Sequence, residues 1–328
     1  MIKKVLTATI NYDHPQRGMM HAFESLFYTS HFDYFERERR GLNAHEITRQ
    51  LVEEVVNFQP DWLWLQCQNT GIIEADGLRE IQQRSPKTVL SHWMGDCRAD
   101  VSDYLSSICK TTHVSFIAAA GQTELFKAAG APEVHYLQMG LDWHEDVLEE
   151  RNWKPPFRVP DVVMIGNHYG GAFPGTPQRE GALRALGDAG FDYGVVGMGW
   201  PGDIRTVGAC HVKDQVSVWK RAKVGVSISN FNDIPLYYSD RQLISMASGT
   251  PIVCYHIPLL ETEFKDGDHC LFFRTNDQLV TRVRWLLDNP DKAKAMGRAG
   301  RGEVLKNHTW FKRVLDVLPI IERVQASL

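Results

Sequence analysis

The stretch "SDRQLISMASGTPIVCY", residues 239–255, decides the fold. An amphipathic helix over 240–248 stops at Gly249, Pro251 blocks its continuation, and the apolar strand 251–255 follows at once. Glycine adopts the left-handed conformation that closes a helix, and proline beyond it cannot extend one. Helix, tight turn and buried strand packed this closely belong to the rim of a parallel sheet. Asp240 suits the positive end of the helix, and Arg241 in its first turn is placed to reach a phosphate. Ordinary capping with a surface arginine accounts for the same residues without a ligand.

Outward from that stretch, strand and helix alternate along the whole chain. Strands are expected at 5–10, 31–35, 62–67, 88–93, 113–118 and 134–139, then at 162–165, 193–196, 224–229, 251–255 and 270–273. Helices are expected at 44–58, 74–84, 98–108, 123–129, 179–189, 216–221, 240–248 and 278–287, and over most of 290–324. This is the pattern of α/β folds with parallel sheets wound on both faces. The alternation breaks once, at "RNWKPPFRVPD" (residues 151–161), where Pro155, Pro156 and Pro160 exclude a helix or central strand. The expected organisation is therefore a Rossmann-like domain over 1–152, a linker over 153–160 and a second Rossmann-like domain from 161, with a cleft between the two. A length of 328 residues suits two such domains better than one core.

Composition narrows the class. With 43% hydrophobic and 23% charged residues the chain reads as soluble and globular, and a formal charge of −4 does not announce a nucleic-acid binder. Six cysteines without a CxxC pair read as buried thiols of a reducing, cytoplasmic compartment. No apolar run reaches membrane-spanning length, and "MIKKVLTATINYD" reads as a first strand, not a signal peptide. The 13 histidines lack metal-ligand spacing, and "KDGDH" (residues 265–269) reads as a turn before it reads as a cation clip, so no metal site is expected.

In such sheets ligands bind beyond the carboxyl ends of the strands, so the loops there carry the candidate chemistry. The first, "NYDHPQRG", offers Asn11, Arg17 and Gly18; a plain loop with a solvated arginine explains it equally well. "HWMGDCRAD" offers His92 and Asp96 as bases and Trp93 as a stacking ring, although Asp96 also suits a helix N-cap. "GNHYGGAFPGTPQRE" is a glycine-rich loop entering a helix, the setting for backbone N–H groups around a phosphate, with Arg179 placed to neutralise it. "GMGWPG" (residues 197–202) matches GxGxxG formally but follows the second strand of its domain; Gly197, Gly199 and Trp200 suit a wall against a planar base, not a dinucleotide fingerprint.

Together these loops resemble glycosyltransferases of the GT-B fold, close to the CgeB-like branch of the family 4-like proteins. The resemblance rests on "NYDHPQRG", "HWMGD", "DVVMIGN", "GMGW", "WKRAKVGVSISN", "DRQLISMASGTPIV", "ETEFKDGDHCLFF" and "KNHTWFKRVLDVL" in that order. It implies a donor domain over 161–307 binding a nucleoside diphosphate sugar, UDP being the expected carrier, and an acceptor-side domain over 1–152. A C-terminal helix over 308–328 would cross back to the N-terminal domain. By position, Gly166 and Asn167 would lie by the donor phosphates, Gly197–Trp200 by the base, Arg241 by the pyrophosphate and Gly249–Thr250 near the donor. Neither metal nor cofactor is implied. One departure stands out: where relatives carry a ribose-holding glutamate, this chain has Ile244, which accepts no hydrogen bond, leaving Gln242, Ser245 or Glu261 as replacements.

The expected activity is sugar transfer to an acceptor the sequence does not identify, with Asp96 and His92 nominated on the acceptor side. A nucleotide-sugar epimerase and a non-catalytic nucleotide or sugar binder are the alternatives. The basic residues Lys292, Lys294, Arg298, Arg301 and Lys306 raise a DNA acceptor, but a solvated helix face accounts for them better.

Overall fold

The computed structural model describes residues 1–10, 16–142 and 153–328. The chain divides into two compact units, Met1–Gly140 with Trp310–Leu328, and Leu141–Thr309. Each carries its own six-stranded parallel sheet.

In the first unit the strands are β1 (Lys4–Thr9), β2 (Tyr28–Asp33), β3 (Trp62–Leu65), β4 (Val89–Met94), β5 (Val114–Ile117) and β6 (Val134–Tyr136), in the order β2-β1-β3-β4-β5-β6. The central runs WLWL, VLSHWM and VSFI are buried along their whole length, because helices cover both faces of a parallel sheet. One face packs Val5, Trp62 and Trp64 against Met19 and Phe23 of α1 (Arg17–Leu26) and against Val314, Val317 and Ile321 of the last helix, α12 (Trp310–Ala326). The other packs Leu6 and Leu63 against Ile47 and Leu51 of α3 (Ala44–Phe58) and Leu78 of α4 (Ala75–Arg84). Trp310 anchors α12 by meeting Trp93 edge to face at 4.8 Å, a geometry worth about 1 kcal/mol beyond area burial.

The second unit contains β7 (Val162–Ile165), β8 (Tyr193–Val196), β9 (Thr206–Gly208), β10 (Val224–Ser227), β11 (Ile252–Tyr255) and β12 (Leu271–Phe273), in the order β12-β11-β10-β7-β8-β9. Counted within the unit this is the 3-2-1-4-5-6 order of the dinucleotide-binding fold, whose direction switches between β7 and β10. Its helices are α7 (Thr176–Asp188), α8 (Gln215–Trp219), α9 (Asp240–Ala247), α10 (Asn276–Asp288) and α11 (Pro290–Asn307).

The largest departures from the sequence pattern have local reasons. The strand expected at 31–35 is β2, and Asp33 instead caps α2 (Tyr34–Arg39) by accepting from the Glu36 N–H. The helix expected at 98–108 is α5 (Asp103–Thr111), because Ser102, not Asp96, accepts from the Leu105 N–H at its start. The edge strand β9 is three residues long and little buried, too weak a signal to read. The helical stretch 290–324 breaks at His308, whose carbonyl accepts from the Leu141 N–H at 2.7 Å. All six cysteines are free, and burial pushes Cys67 up to about 12, which makes it an inert thiol. Among the described residues no helix is long and apolar enough to cross a membrane.

Candidate functional site

The switch point of the second unit gathers the glycine-rich loop, the "GMGW" turn and the start of α9. Gly166 ends β7 with φ +149°, a conformation other residues rarely adopt. A Cβ on Gly166 would lie 3.0 Å from Nη2 of Arg179 and 3.4 Å from Nε of Arg241, so the missing side chain leaves both guanidiniums room at the strand end. Gly197 is tighter still: a Cβ there would stand 2.1 Å from the Gly166 carbonyl oxygen. Trp200 Nε1 donates to that same carbonyl at 2.8 Å, and Asn167 Oδ1 accepts from the Met198 N–H at 2.9 Å. The β7 and β8 loops are thus laced together by backbone contacts that only glycine permits.

Arg179 lies across the switch point. Its Nη2 donates to the Asn167 carbonyl and its Nη1 to Asn230 Oδ1, each at 3.0 Å, joining the end of β7 to the end of β10. Its guanidinium lies 4.8 Å from the Trp200 ring centroid, and the side chain is 2% exposed. Its buried Nε has no hydrogen-bond partner. Burial first, and the Arg241 charge second, push its pKa down to about 10, so the group remains a cation at neutral pH. Arg241 pairs loosely with Asp240, Nη1 to Oδ1 at 3.9 Å, while Asp240 accepts from the Arg241 N–H and Ser239 Oγ at the start of α9. Among the described residues no ion pair neutralises Arg179. No acidic residue sits in the first turn of α7, so that helix adds its own positive end. Two clustered cations that share one loosely placed carboxylate are costly alone and complementary to a doubly charged anion such as a diphosphate.

The loop after Gly166 is held by His168. Its Nδ1 accepts from the Gly170 N–H at 3.0 Å, which leaves Nε2 as the donor to Glu180 at 2.8 Å. The His168 ring also packs 5.1 Å from Trp200. Gly199, with φ +80°, clears the His168 carbonyl, which a Cβ would approach to 2.7 Å.

The model of the glycosyl transferase-like family matches residues 179–318. That span begins at Arg179 and takes in Asn230 and Arg241. No curated protein matches the sequence significantly. Solved structures match over nearly the full length. A glycosyltransferase from Rickettsia africae has 10% identity and a TM-score of 0.67, with 98% of each chain covered. Alr3699/HepE from Anabaena, solved with UDP and glucose, has 9% identity and a TM-score of 0.62, with 99% of this chain and all of that one covered. A UDP-N-acetylglucosamine 2-epimerase from Listeria monocytogenes has 12% identity and a TM-score of 0.55, covering all of this chain and 98% of that one. At such identities the likeness shows the fold: α/β with two parallel six-stranded sheets, the GT-B architecture.

Of the residues expected at a donor site, Gly166, Asn167, Arg179, Gly197, Gly199, Trp200 and Arg241 share this one rim. Gly249 and Thr250 do not. α9 runs antiparallel to the strands, so its first turn lies at their carboxyl ends and its last at their amino ends. Gly249, with φ +82°, closes α9 against α11, where a Cβ on Gly297 would meet its carbonyl at 2.1 Å. Thr250 Oγ1 donates to the Trp219 carbonyl at 2.7 Å. Both residues lie at the amino ends of the strands, away from the rim.

Ile244 belongs to the core, 3% exposed among Leu243, Ala247 and Phe264. Among its three suggested replacements, Ser245 Oγ is spent on the Gln242 carbonyl, and Glu261 is exposed and paired with His256. Gln242 is buried and keeps an Nε2 without a partner.

In the first unit the expected site residues are dispersed. His92 is fully buried within β4, its Nδ1 3.6 Å from Cys109 Sγ, and burial pushes its pKa down to about 4. It is a neutral core histidine; as a mid-strand residue it does not reach the loop where a base would act. Trp93 is equally unavailable for stacking, because its Nε1 donates to the Leu137 carbonyl and its ring packs on Trp64 and Trp310. Asp96 is exposed beyond β4 and pairs with Arg98 at 3.1 Å. Arg17 is exposed at the first position of α1, Gly18 is buried beneath it, and Asn11 lies outside the described residues.

The structure adds residues that sequence reasoning missed. Asn230 was quoted in "VGVSISN", but nothing in the string tied it to Arg179. At the switch point between β1 and β3, Gln66 Oε1 accepts from Gln16 Nε2 at 2.6 Å and from the Ile10 N–H at 3.3 Å, and the Gln66 carbonyl accepts from Tyr34. No motif signalled that cluster.

Proposed function

We propose that the protein is a glycosyltransferase whose second unit binds a nucleoside diphosphate sugar, UDP being the carrier to test first. The observation that carries the reading is the Arg179–Arg241 pair at the β7/β10 switch point, two cations of which only Arg241 has a carboxylate near it, Asp240 at 3.9 Å. The bond from the sugar carbon to the β-phosphate oxygen breaks, an acceptor hydroxyl oxygen bonds to that carbon, and the hydroxyl proton is lost. The charge growing on the departing diphosphate falls on the two guanidiniums and the positive end of α7, which stabilise the transition state more than the ground state. The turn Gly197–Trp200 would border the base. The family-model match and the likeness to structures holding UDP and glucose support the same reading. The first unit would receive the acceptor; in an inverting course Asp96, exposed at the carboxyl end of β4, would be its base. Among the described residues no group of three or more His, Cys, Asp or Glu is arranged to hold a metal.

Thermal melting with UDP, other nucleoside diphosphates and their hexose conjugates, without metal, tests this. A ligand that binds the native state raises the melting temperature by mass action. A shift with one nucleotide family is expected, and flat melting curves across the panel sink the reading. Nucleoside diphosphate released only when an acceptor is added marks a transferase. A donor epimerised without acceptor marks the epimerase instead.

A further inference from the structure

The two-arginine site is bordered by an aromatic ladder that the diphosphate does not use. Tyr169 meets Phe173 at 5.2 Å between centroids, Phe173 meets Phe231 at 5.7 Å, and Phe231 meets Tyr237 at 5.8 Å, each pair near-perpendicular. Two loops on the carboxyl side of the sheet supply it. Tyr169 and Phe173 come from the glycine-rich loop after β7, and Phe231 and Tyr237 from the loop between β10 and α9. These loops are joined at the site itself, where the Gly175 N–H donates to the Asn230 carbonyl at 2.8 Å and Asn230 Oδ1 receives Arg179.

The ladder begins at the cations. Phe231 follows Asn230 and Tyr169 stands two residues after Asn167, the two hydrogen-bond partners of Arg179. Tyr169 is 48% exposed, and Phe173, Phe231 and Tyr237 are partly exposed. Apolar rings left open beside a charged pocket cost hydrophobic free energy unless a ligand covers them. A polar group waits beside them: Asn232 is 3% exposed, its Oδ1 accepts from the Ser229 N–H, and its Nδ2 is buried without a partner. That Nδ2 lies beside Gly175, where a Cβ would stand 2.7 Å away.

We propose that this ladder is a saccharide platform, covering the apolar C–H face of a pyranose ring while Asn232 and the Tyr169 hydroxyl meet its hydroxyl groups. The inference rests on the function proposed above and names what recognises the sugar in it. A diphosphate held between Arg179 and Arg241 has two exits. Gly197, Gly199 and Trp200 line one, the side proposed for the base. The ladder lines the other, alternating ring edges with ring faces, which suits C–H bonds better than a stacked flat base. The pyranose is either the donor's own sugar or one of the acceptor's.

Isothermal titration of the full-length protein with UDP, a panel of UDP-hexoses and maltoheptaose separates these cases. The variants are Tyr169→Ala and Phe231→Ala, with Phe231→Tyr as the aromatic-retaining control. Expected is UDP affinity within twofold of wild type in all three. A roughly tenfold loss for a UDP-hexose in the alanine variants, absent in Phe231→Tyr, assigns the platform to the donor sugar. An equal loss for maltoheptaose with UDP-hexose binding intact assigns it to a glycan acceptor. UDP and UDP-hexose weakening together in the alanine variants, or no change in any titration, overturns the platform while leaving the diphosphate site standing. A wild type that binds maltoheptaose through the ladder but no UDP keeps the platform and overturns the proposed function. A wild type that binds none of the probes overturns both.

Discussion

The two units solve the same topological problem with opposite chemistry. Each switches direction at one point of a six-stranded parallel sheet, between β1 and β3 in the first unit and between β7 and β10 in the second. In the second the switch point is spanned by a guanidinium, backed by another, beside glycines packed against neighbouring backbone. In the first, the described residues place a neutral amide pair, Gln16 with Gln66, over the buried Tyr34. Fold alone therefore does not say which unit takes an anion; the side chain laid across the gap does. A guanidinium laid across the gap can offset a diphosphate's charge, whereas the amide pair there offers only neutral hydrogen bonds.

The most severe test of that contrast is Arg179→Met, which keeps the side-chain stem and removes the charge. Losing two or more charge-assisted bonds should weaken UDP binding by about 100-fold, which is roughly 2.7 kcal/mol. The melting temperature should hold or rise without ligand, because a desolvated cation beside Arg241 is gone. Unchanged UDP titration would place the anion site elsewhere. Next comes Gly197→Ala, whose Cβ collides with the Gly166 carbonyl. Overpacking against backbone should cost about 2–3 kcal/mol in a urea titration and loosen the UDP site with it. An alanine there with wild-type stability would mean that the two loops need not touch.

His92 sharpens the comparison from the other side, as a buried group of the first unit. Its folded pKa of about 4 lies below the ordinary histidine value, so the unfolded chain takes the proton first. The stability it contributes is complete above about pH 6.5 and is lost as pH falls toward 4. Between pH 7 and 5 this amounts to about 2 kcal/mol. Urea titrations at the two pH values should show that loss in wild type and a correspondingly shallower dependence in His92→Leu. Equal slopes would mean that His92 titrates normally. The smallest effect is expected from Gln66→Ala, which should leave UDP affinity within about twofold, since a neutral amide makes no charge-assisted bond to phosphate. A tenfold loss there would erase the distinction between the two rims.

Much of the architecture was legible because parallel strands and capped helices announce themselves locally. The interval 44–58 reads as a helix from its apolar spacing, and Asn43 with Glu46 forms the capping box at its start. The donor rim was legible in part because glycines after strands leave a strong signature. The failures share a different cause. His92 and Trp93 looked like rim residues because they stand near the end of an apolar run, yet β4 continues to Met94 and the helices over it bury both rings. Gly249 and Thr250 looked like ligand residues because they adjoin a promising helix, yet they close its far end.

Sequence by itself determined the alternation of elements, the helix stop at Gly249 and the arginine-bearing loops, since each depends on neighbours a few residues apart. Only the tertiary structure decided that Arg179 and Asn230, 51 positions apart, share a hydrogen bond across a switch point. It also decided that four aromatic rings from two loops line up in a ladder. Such contacts depend on the order in which strands join the sheet, and that order is fixed by packing over the whole unit, which no short stretch encodes.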